Sequence, residues 1–218
     1  MQRFILFLSL WILFSSSLIY GEGFGRYAVK FGVGVSSTTF NGVLGLFNED
    51  DYESRPGVNF GVSATLYRNK QLQFFGEMQY QARGSELKLF YTDVNGNPIK
   101  QEPGLDNLFE YLVFSSGINF TFGNGSLRPI LKAGPSLSLL LRERSITFGD
   151  LNFNTSRFVF GAAFGGGLVF AKLPPGELFV EIKYDLDITK ALETDPTLPN
   201  KFDMKHRVLS VSLGLLLP

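Results

Sequence analysis

Apolar and polar residues alternate with a period of two in eight separate segments of this chain. That pattern limits the fold more than any other feature, because successive side chains of a strand point to opposite faces. The first segment sets Tyr27, Val29, Phe31, Val33 and Val35 against Ala28, Lys30, Gly32, Gly34 and Ser36. Later segments repeat the pattern over Val58–Tyr67, Leu72–Arg83, Leu112–Phe122, Arg128–Arg142, Phe158–Phe170, Leu178–Thr189 and Arg207–Leu217. In the seventh, Leu178, Val180, Ile182, Tyr184, Leu186 and Ile188 oppose Glu181, Lys183, Asp185, Asp187 and Thr189. No helical period competes after the N-terminus, so the chain is all-β.

The N-terminus reads differently. Met1-Gln2-Arg3 carries one positive charge, Phe4 to Phe14 is apolar but for Ser9, and Ser15, Ser16, Ser17 and Gly21 are small. This is the layout of a cleavable secretory signal peptide over residues 1–21. The apolar run is too short to span hydrocarbon as a helix, which takes about 20 residues. Residues 22–218 are then expected to form one domain. Its composition excludes several classes. With no Cys there is no disulfide scaffold, and 20 Lys+Arg against 20 Asp+Glu leave no basic surface for nucleic acid.

Alternation by itself admits two opposite barrels. A lipocalin-like soluble barrel encloses its apolar face around a ligand, whereas an outer-membrane barrel presents that face to lipid. Three features favour lipid. The connections Arg68–Gln71, Gly123–Ser126 and Ala171–Glu177 are short, while those starting at Ser37, Gly84, Glu143 and Lys190 are long, and that asymmetry marks an outer-membrane barrel with its short turns in the periplasm. The polar face is built of Gly, Ser, Gln and charges of both signs, a poor lining for an apolar ligand. Aromatic residues fall at strand ends, with Tyr27, Phe74, Phe122 and Phe170 toward one interface and Tyr80, Phe158 and Tyr184 toward the other. The expected fold is an eight-stranded antiparallel up-and-down transmembrane β-barrel in the bacterial outer membrane.

Four stretches carry a resemblance: Arg128-Pro129-Ile130-Leu131-Lys132-Ala133-Gly134-Pro135-Ser136, Phe164-Gly165-Gly166-Gly167-Leu168-Val169-Phe170, Phe179-Val180-Glu181-Ile182-Lys183-Tyr184 and Arg207-Val208-Leu209-Ser210-Val211-Ser212-Leu213-Gly214. Together with the Tyr27–Val35 strand, they resemble the PorT-like outer-membrane β-barrel family of Bacteroidota, an OmpX/OmpA-like eight-stranded barrel. The resemblance implies a fold and a bacterial group, and one branch of that family assists a protein secretion system. The chain departs from the pattern at Leu215-Leu216-Leu217-Pro218, which lacks a terminal aromatic residue.

Candidate chemistry lies on the inward face. Lys30, Arg83, Arg128, Lys132 and Lys183 face Glu77, Glu181, Asp185 and Asp187 there, with Arg142 left at the rim. A buried charge without a partner is costly, so these nine residues are expected to form a structural ion-pair network; a gated polar conduit is the sharper reading of the same residues. His206 is the sole histidine, placed near Asp203 at the outer rim of the last strand, and no nucleophile motif accompanies it. The acidic run Asn48-Glu49-Asp50-Asp51-Tyr52-Glu53 lacks the ordered spacing of a calcium loop. No catalytic, metal or cofactor site is therefore assigned.

In the second long connection, Leu87, Leu89 and Tyr91 alternate before Asn95-Gly96, a tight-turn dipeptide, so a ribbon projecting beyond the membrane is expected there. A ribbon has edges, and edges accept partner strands. The leading reading of function is a non-enzymatic structural or interaction protein. It is bathed in outer-membrane lipid, contacts envelope proteins through its extracellular loops, and could serve a secretion system as an accessory. Three alternatives remain open at this stage: a small solute pore, a lipid-modifying barrel enzyme using His206, and a soluble lipocalin-like binder.

Overall fold

The computed structural model describes residues 25–41, 52–68, 71–92, 98–123, 125–145, 153–173, 176–194 and 203–217. The expected signal peptide, the acidic run through Asp51, the Asn95-Gly96 turn and the Pro-punctuated loop after Thr194 lie outside them.

Ten strands are present among the described residues: β1 (Tyr27–Asn41), β2 (Tyr52–Arg68), β3 (Leu72–Thr92), β4 (Pro98–Thr121), β5 (Arg128–Ser145), β6 (Phe153–Thr155), β7 (Phe158–Leu173), β8 (Gly176–Asp187), β9 (Leu192–Thr194) and β10 (Asp203–Leu217). Eight of them pair in the antiparallel order β1-β2-β3-β4-β5-β7-β8-β10, and β10 returns to β1 from Asn41↔Asp203 down to Tyr27↔Leu217. The sheet is thereby closed and has no free edge over the height of the barrel.

The apolar set faces outward on every wall strand. Phe31 is 61% exposed and Phe60 55%, and Val33, Leu131, Phe164, Ile182 and Leu213 are similarly bare, while their strand neighbours point into the lumen and are buried. An uninterrupted belt of exposed aliphatic and aromatic side chains is tolerable only against lipid. The lipocalin-like alternative is thus excluded. Tyr27, Phe74, Phe122, Phe158, Phe170 and Tyr184 all lie exposed on this outer surface. Tyr80 stacks on Phe60 at 5.2 Å.

Three of the long connections carry strand pairing of their own. The stretches Glu143–Arg157 and Lys190–Met204 are not wholly irregular: β9 pairs with the start of β10 (Met204↔Leu192) and β6 pairs with β9. The reason is apolar. Ala191 and Leu192 are completely buried with Met204, so burial draws this segment across the barrel mouth. The β3–β4 connection is the ribbon expected from its alternation, with pairs continuing through Leu89↔Glu102, Phe90↔Gln101, Tyr91↔Lys100 and Thr92↔Pro98.

One place in the wall depends on absent side chains. Gly117 in β4 and Gly134 in β5 approach each other between the pairs Ser115↔Ser136 and Ile118↔Ala133, beside Pro135, which cannot donate to a ladder. A Cβ on Gly134 would lie 1.9 Å from the Ser116 carbonyl oxygen, and one on Gly117 would lie 2.1 Å from that of Ala133.

Candidate functional site

The lumen is the only enclosed space among the described residues to which the fold directs chemistry-bearing side chains, and it is stratified. Its middle layer is ionic. Lys30 on β1 donates to Glu77 of β3 at 2.8 Å and to Glu181 of β8 at 2.6 Å. Lys183 donates to the other Glu77 oxygen at 2.9 Å, and Lys132 on β5 reaches Glu77 at 3.1 Å and also pairs with Glu181. Lys183 further meets Asp185 at 3.3 Å. Above this group, Arg83 donates to Asp187 at 2.8 Å and to the Gln81 side chain at 2.8 Å, while Gln81 donates to Asp185 at 3.1 Å. These eight charges, four cations and four carboxylates, are all nearly sealed from solvent. Each ammonium or guanidinium touches at least one carboxylate, and Glu77 holds three ammoniums.

The geometry follows from the strand period. Glu77, Gln79, Gln81 and Arg83 occupy alternate positions of β3, as do Glu181, Lys183, Asp185 and Asp187 of β8, so each strand presents a polar column to the lumen. In an eight-stranded barrel the lumen is only as wide as its side chains, and columns on opposite walls meet in the centre.

Arg128 stands apart from this layer. It lies lower, at the short-turn mouth, where it and Arg26 both bond the same oxygen of Glu177. The sequence count of five inward cations to four carboxylates is therefore divided by the structure into a balanced middle layer and a separate mouth.

Both ends of the lumen carry apolar layers that the sequence reading of a wholly polar interior missed. Toward the short turns, Ala28, Ile130, Val169 and Phe179 cluster, with Leu216 against them. Toward the long connections, Phe109, Tyr111, Val113, Val159, Ala191, Leu192 and Met204 form a completely buried cap. The signal was available: Phe75, Phe109, Tyr111 and Phe179 share the inward parity of the polar residues on their own strands.

His206 belongs to this cap. The expectation of a rim residue is corrected, because its side chain is 0% exposed and its ring lies 5.2 Å from Phe109 and 6.0 Å from Tyr111. Met204, His206, Val208 and Ser210 are alternate residues of β10, and β9 closes over them, which converts a rim position into an interior one. Nδ1 meets the Thr38 hydroxyl at 3.3 Å, and Asp187 accepts the backbone N–H of His206 at 3.1 Å, not a ring proton. Among the described residues Nε2 and the Tyr111 hydroxyl have no hydrogen-bond partner. Among the described residues no serine nucleophile and no carboxylate is bonded to the ring to complete a catalytic set. His206→Ala is accordingly expected to leave the lipid composition of the host membrane unchanged, as measured by mass spectrometry of extracted lipids. No group of three or more metal-ligating side chains occurs among the described residues. Outside the wall, Lys190 bonds Asp203 at 3.2 Å, and that hydrogen bond holds its ammonium above the ordinary lysine range.

An outer-membrane β-barrel is also what comparison with known proteins returns. Residues 17–193 match the model of a family described as outer membrane protein beta-barrel domain. The chain belongs to that family. Membership places it in the bacterial outer membrane and agrees with the belt of exposed apolar side chains. Among solved structures, OprG from Pseudomonas aeruginosa is similar at 12% identity, covering 90% of this chain and 98% of that one with a TM-score of 0.56. Ail of Yersinia pestis matches at 18% identity over 88% and 99% of the two chains (TM-score 0.39), and the outer-membrane enzyme PagL at 17% over 87% and 99% (TM-score 0.41). At these identities the likeness concerns fold alone. No curated protein sequence matches the chain.

Proposed function

We propose that this chain is a non-enzymatic outer-membrane protein of the interaction type, a sealed barrel that serves as a rigid base for the β3–β4 ribbon, through which it contacts other envelope proteins. One observation carries the reading. β3 and β4 continue to pair with each other up to Thr92↔Pro98, beyond Tyr52↔Leu87 and Asn107↔Ser145, the last described pairs that join them to β2 and β5. A two-stranded ribbon that rises past the barrel wall is a template for an incoming extended segment. The PorT-like resemblance narrows the partner to a component of a protein secretion system in a member of the Bacteroidota.

The rival readings have less support. A solute pore needs an aqueous path, and here the lumen is capped by apolar side chains above the ion cluster. A lipid-modifying enzyme needs an accessible nucleophile and base, and His206 is enclosed.

The test is a photo-crosslinking residue placed at Tyr91 or Lys100 of the ribbon, with Val62 in the lipid belt as control, in the native host. A discrete adduct from the ribbon positions and none from Val62 is the expected result. Absence of any adduct from the ribbon, together with stepwise current from the purified barrel in planar bilayers, would replace this reading with the pore.

A further inference from the structure

The mouth at the short-turn end differs from the rest of the lumen in having its charges out of balance. In the middle layer four cations meet four carboxylates. At the mouth, Arg26 and Arg128 share Glu177 alone, and they share a single oxygen of it. Among the described residues this end thus holds one positive charge in excess. Among the described residues, Arg26, 31% exposed, and Arg128, 15% exposed, are the most solvent-reached cations of the lumen, followed by Lys132 at 10%, while Lys30 and Lys183 are sealed.

The two arginines stand at an actual opening. A cavity of about 70 Å³ opens here, its charged lining made of Arg26, Arg128 and Lys132 with one carboxylate, Glu181, and its polar lining including Gln73, Asn119 and Thr121. That volume is several times what one water molecule needs. Its polar wall is only loosely satisfied: Gln73 reaches Thr121 and Asn119 at 3.5 Å each, and the Asn119 side-chain oxygen has no partner. Phe75, Ile130 and Phe179 line the cavity as well, and it reaches inward to the Lys132 and Glu181 side chains of the middle layer.

A guanidinium offers five N–H donors in a planar fork matched to carboxylate and phosphate oxygens. Each of these arginines gives one nitrogen to Glu177, and both line the cavity. Glu177 then acts as an internal stand-in for the anion, a tethered carboxylate that a second one could join or displace.

We propose that the short-turn mouth is an anion-binding site of the periplasmic side, built by Arg26 and Arg128 and moderated by Glu177, which takes a small carboxylate or phosphate group. The inference is independent of the ribbon reading, since it concerns the opposite end of the molecule. The anion can come from two sources, a free small ion or the terminal carboxylate of a periplasmic peptide, and the chemistry of recognition is the same for both.

The experiment is calorimetric titration of the refolded full chain in neutral detergent, at low ionic strength, with sodium acetate, inorganic phosphate, a short peptide with a free C-terminus, and the same peptide amidated. The heat-shifted gel band of each variant certifies that it is folded. Binding of acetate or phosphate by the native chain is expected. Glu177→Gln should tighten it by about tenfold, because the competing carboxylate is gone, and Arg128→Gln should weaken it by about tenfold or more. Tighter binding of the free-acid peptide than of acetate, lost on amidation, identifies the peptide source; equal affinity for acetate and the free-acid peptide identifies the free ion. If none of the four ligands binds, or if Glu177→Gln binds no more tightly than the native chain, the proposal is overturned. Should Arg128→Gln fail to fold, the Glu177→Gln comparison decides alone.

Discussion

Replacing Glu77 with Gln is expected to lower the unfolding free energy of the barrel by about 3–5 kcal/mol, the usual consequence of removing one partner of a buried charge set. Glu77 accepts from Lys30 at 2.8 Å, Lys183 at 2.9 Å and Lys132 at 3.1 Å, and its side chain is 1% exposed. With its charge gone, three ammoniums face Glu181 and Asp185 only, in a lumen where water cannot replace the lost partner. Nor can they separate, since each is fixed to a different wall strand. The cost falls on the folded state, because in the unfolded chain the same lysines are hydrated. Urea titration of the heat-shifted band in micelles, native chain against Glu77→Gln, reads the change in midpoint. Lys190→Ala supplies the contrast: its pairs with Asp203 and Glu193 are exposed, and its removal should leave the midpoint unmoved. An unaltered midpoint for Glu77→Gln would mean that the middle layer is not held together by its charges.

A valine at Gly134 is expected to abolish the folded species altogether, a destabilisation of at least about 3 kcal/mol. The Cβ would lie 1.9 Å from the Ser116 carbonyl oxygen and 2.8 Å from the Gly117 Cα, and both are backbone atoms of the adjacent strand. A flexible side chain can rotate away from an intruding methyl; a ladder already interrupted next to Pro135 can yield only by separating β4 from β5, and that opens the barrel. Gly76→Ala is the matched control. Its Cβ would meet nothing nearer than a Leu66 methyl at 3.7 Å, ordinary van der Waals contact, and the variant should fold to the native heat-shifted band. Folding of Gly134→Val into a heat-shifted species of native stability would show that the wall tolerates a wider spacing at that point.

Together these two substitutions describe how such a barrel is held. The outer belt gains its stability from lipid and asks for little more than apolar character. The lumen must satisfy every charge internally, and the wall must close on itself at a fixed circumference. On the two proposals above, function falls to the ends: the ribbon above the membrane and the arginine-bearing mouth below it.

Much of this was legible from residue order alone. The alternation in Tyr27–Val35 or Leu178–Thr189 states which side chains share a face, since parity is a local property of an extended backbone. It correctly separated Glu77, Gln79, Gln81 and Arg83 from Met78, Tyr80 and Ala82, and it identified the inward charges of β8. The lengths of the connections indicated which face meets lipid. Height along the barrel axis was not legible. It is set by the stagger between neighbouring strands, which depends on pairings as distant in sequence as β1 with β10, and no window of sequence contains them. Hence the sequence could count Arg128 among the inward charges but could not separate it from the middle layer and set it beside Arg26 and Glu177. Hence also His206, whose parity faces inward, read as a rim residue until β9, pairing over Met204, enclosed it. Sequence by itself determined that this is a lipid-facing barrel with a charged interior, because both follow from side-chain alternation. Only the tertiary structure decided which charges meet, where the lumen is sealed and which end sets Arg26 and Arg128 on one carboxylate, because those follow from register, and register is a relation between strands.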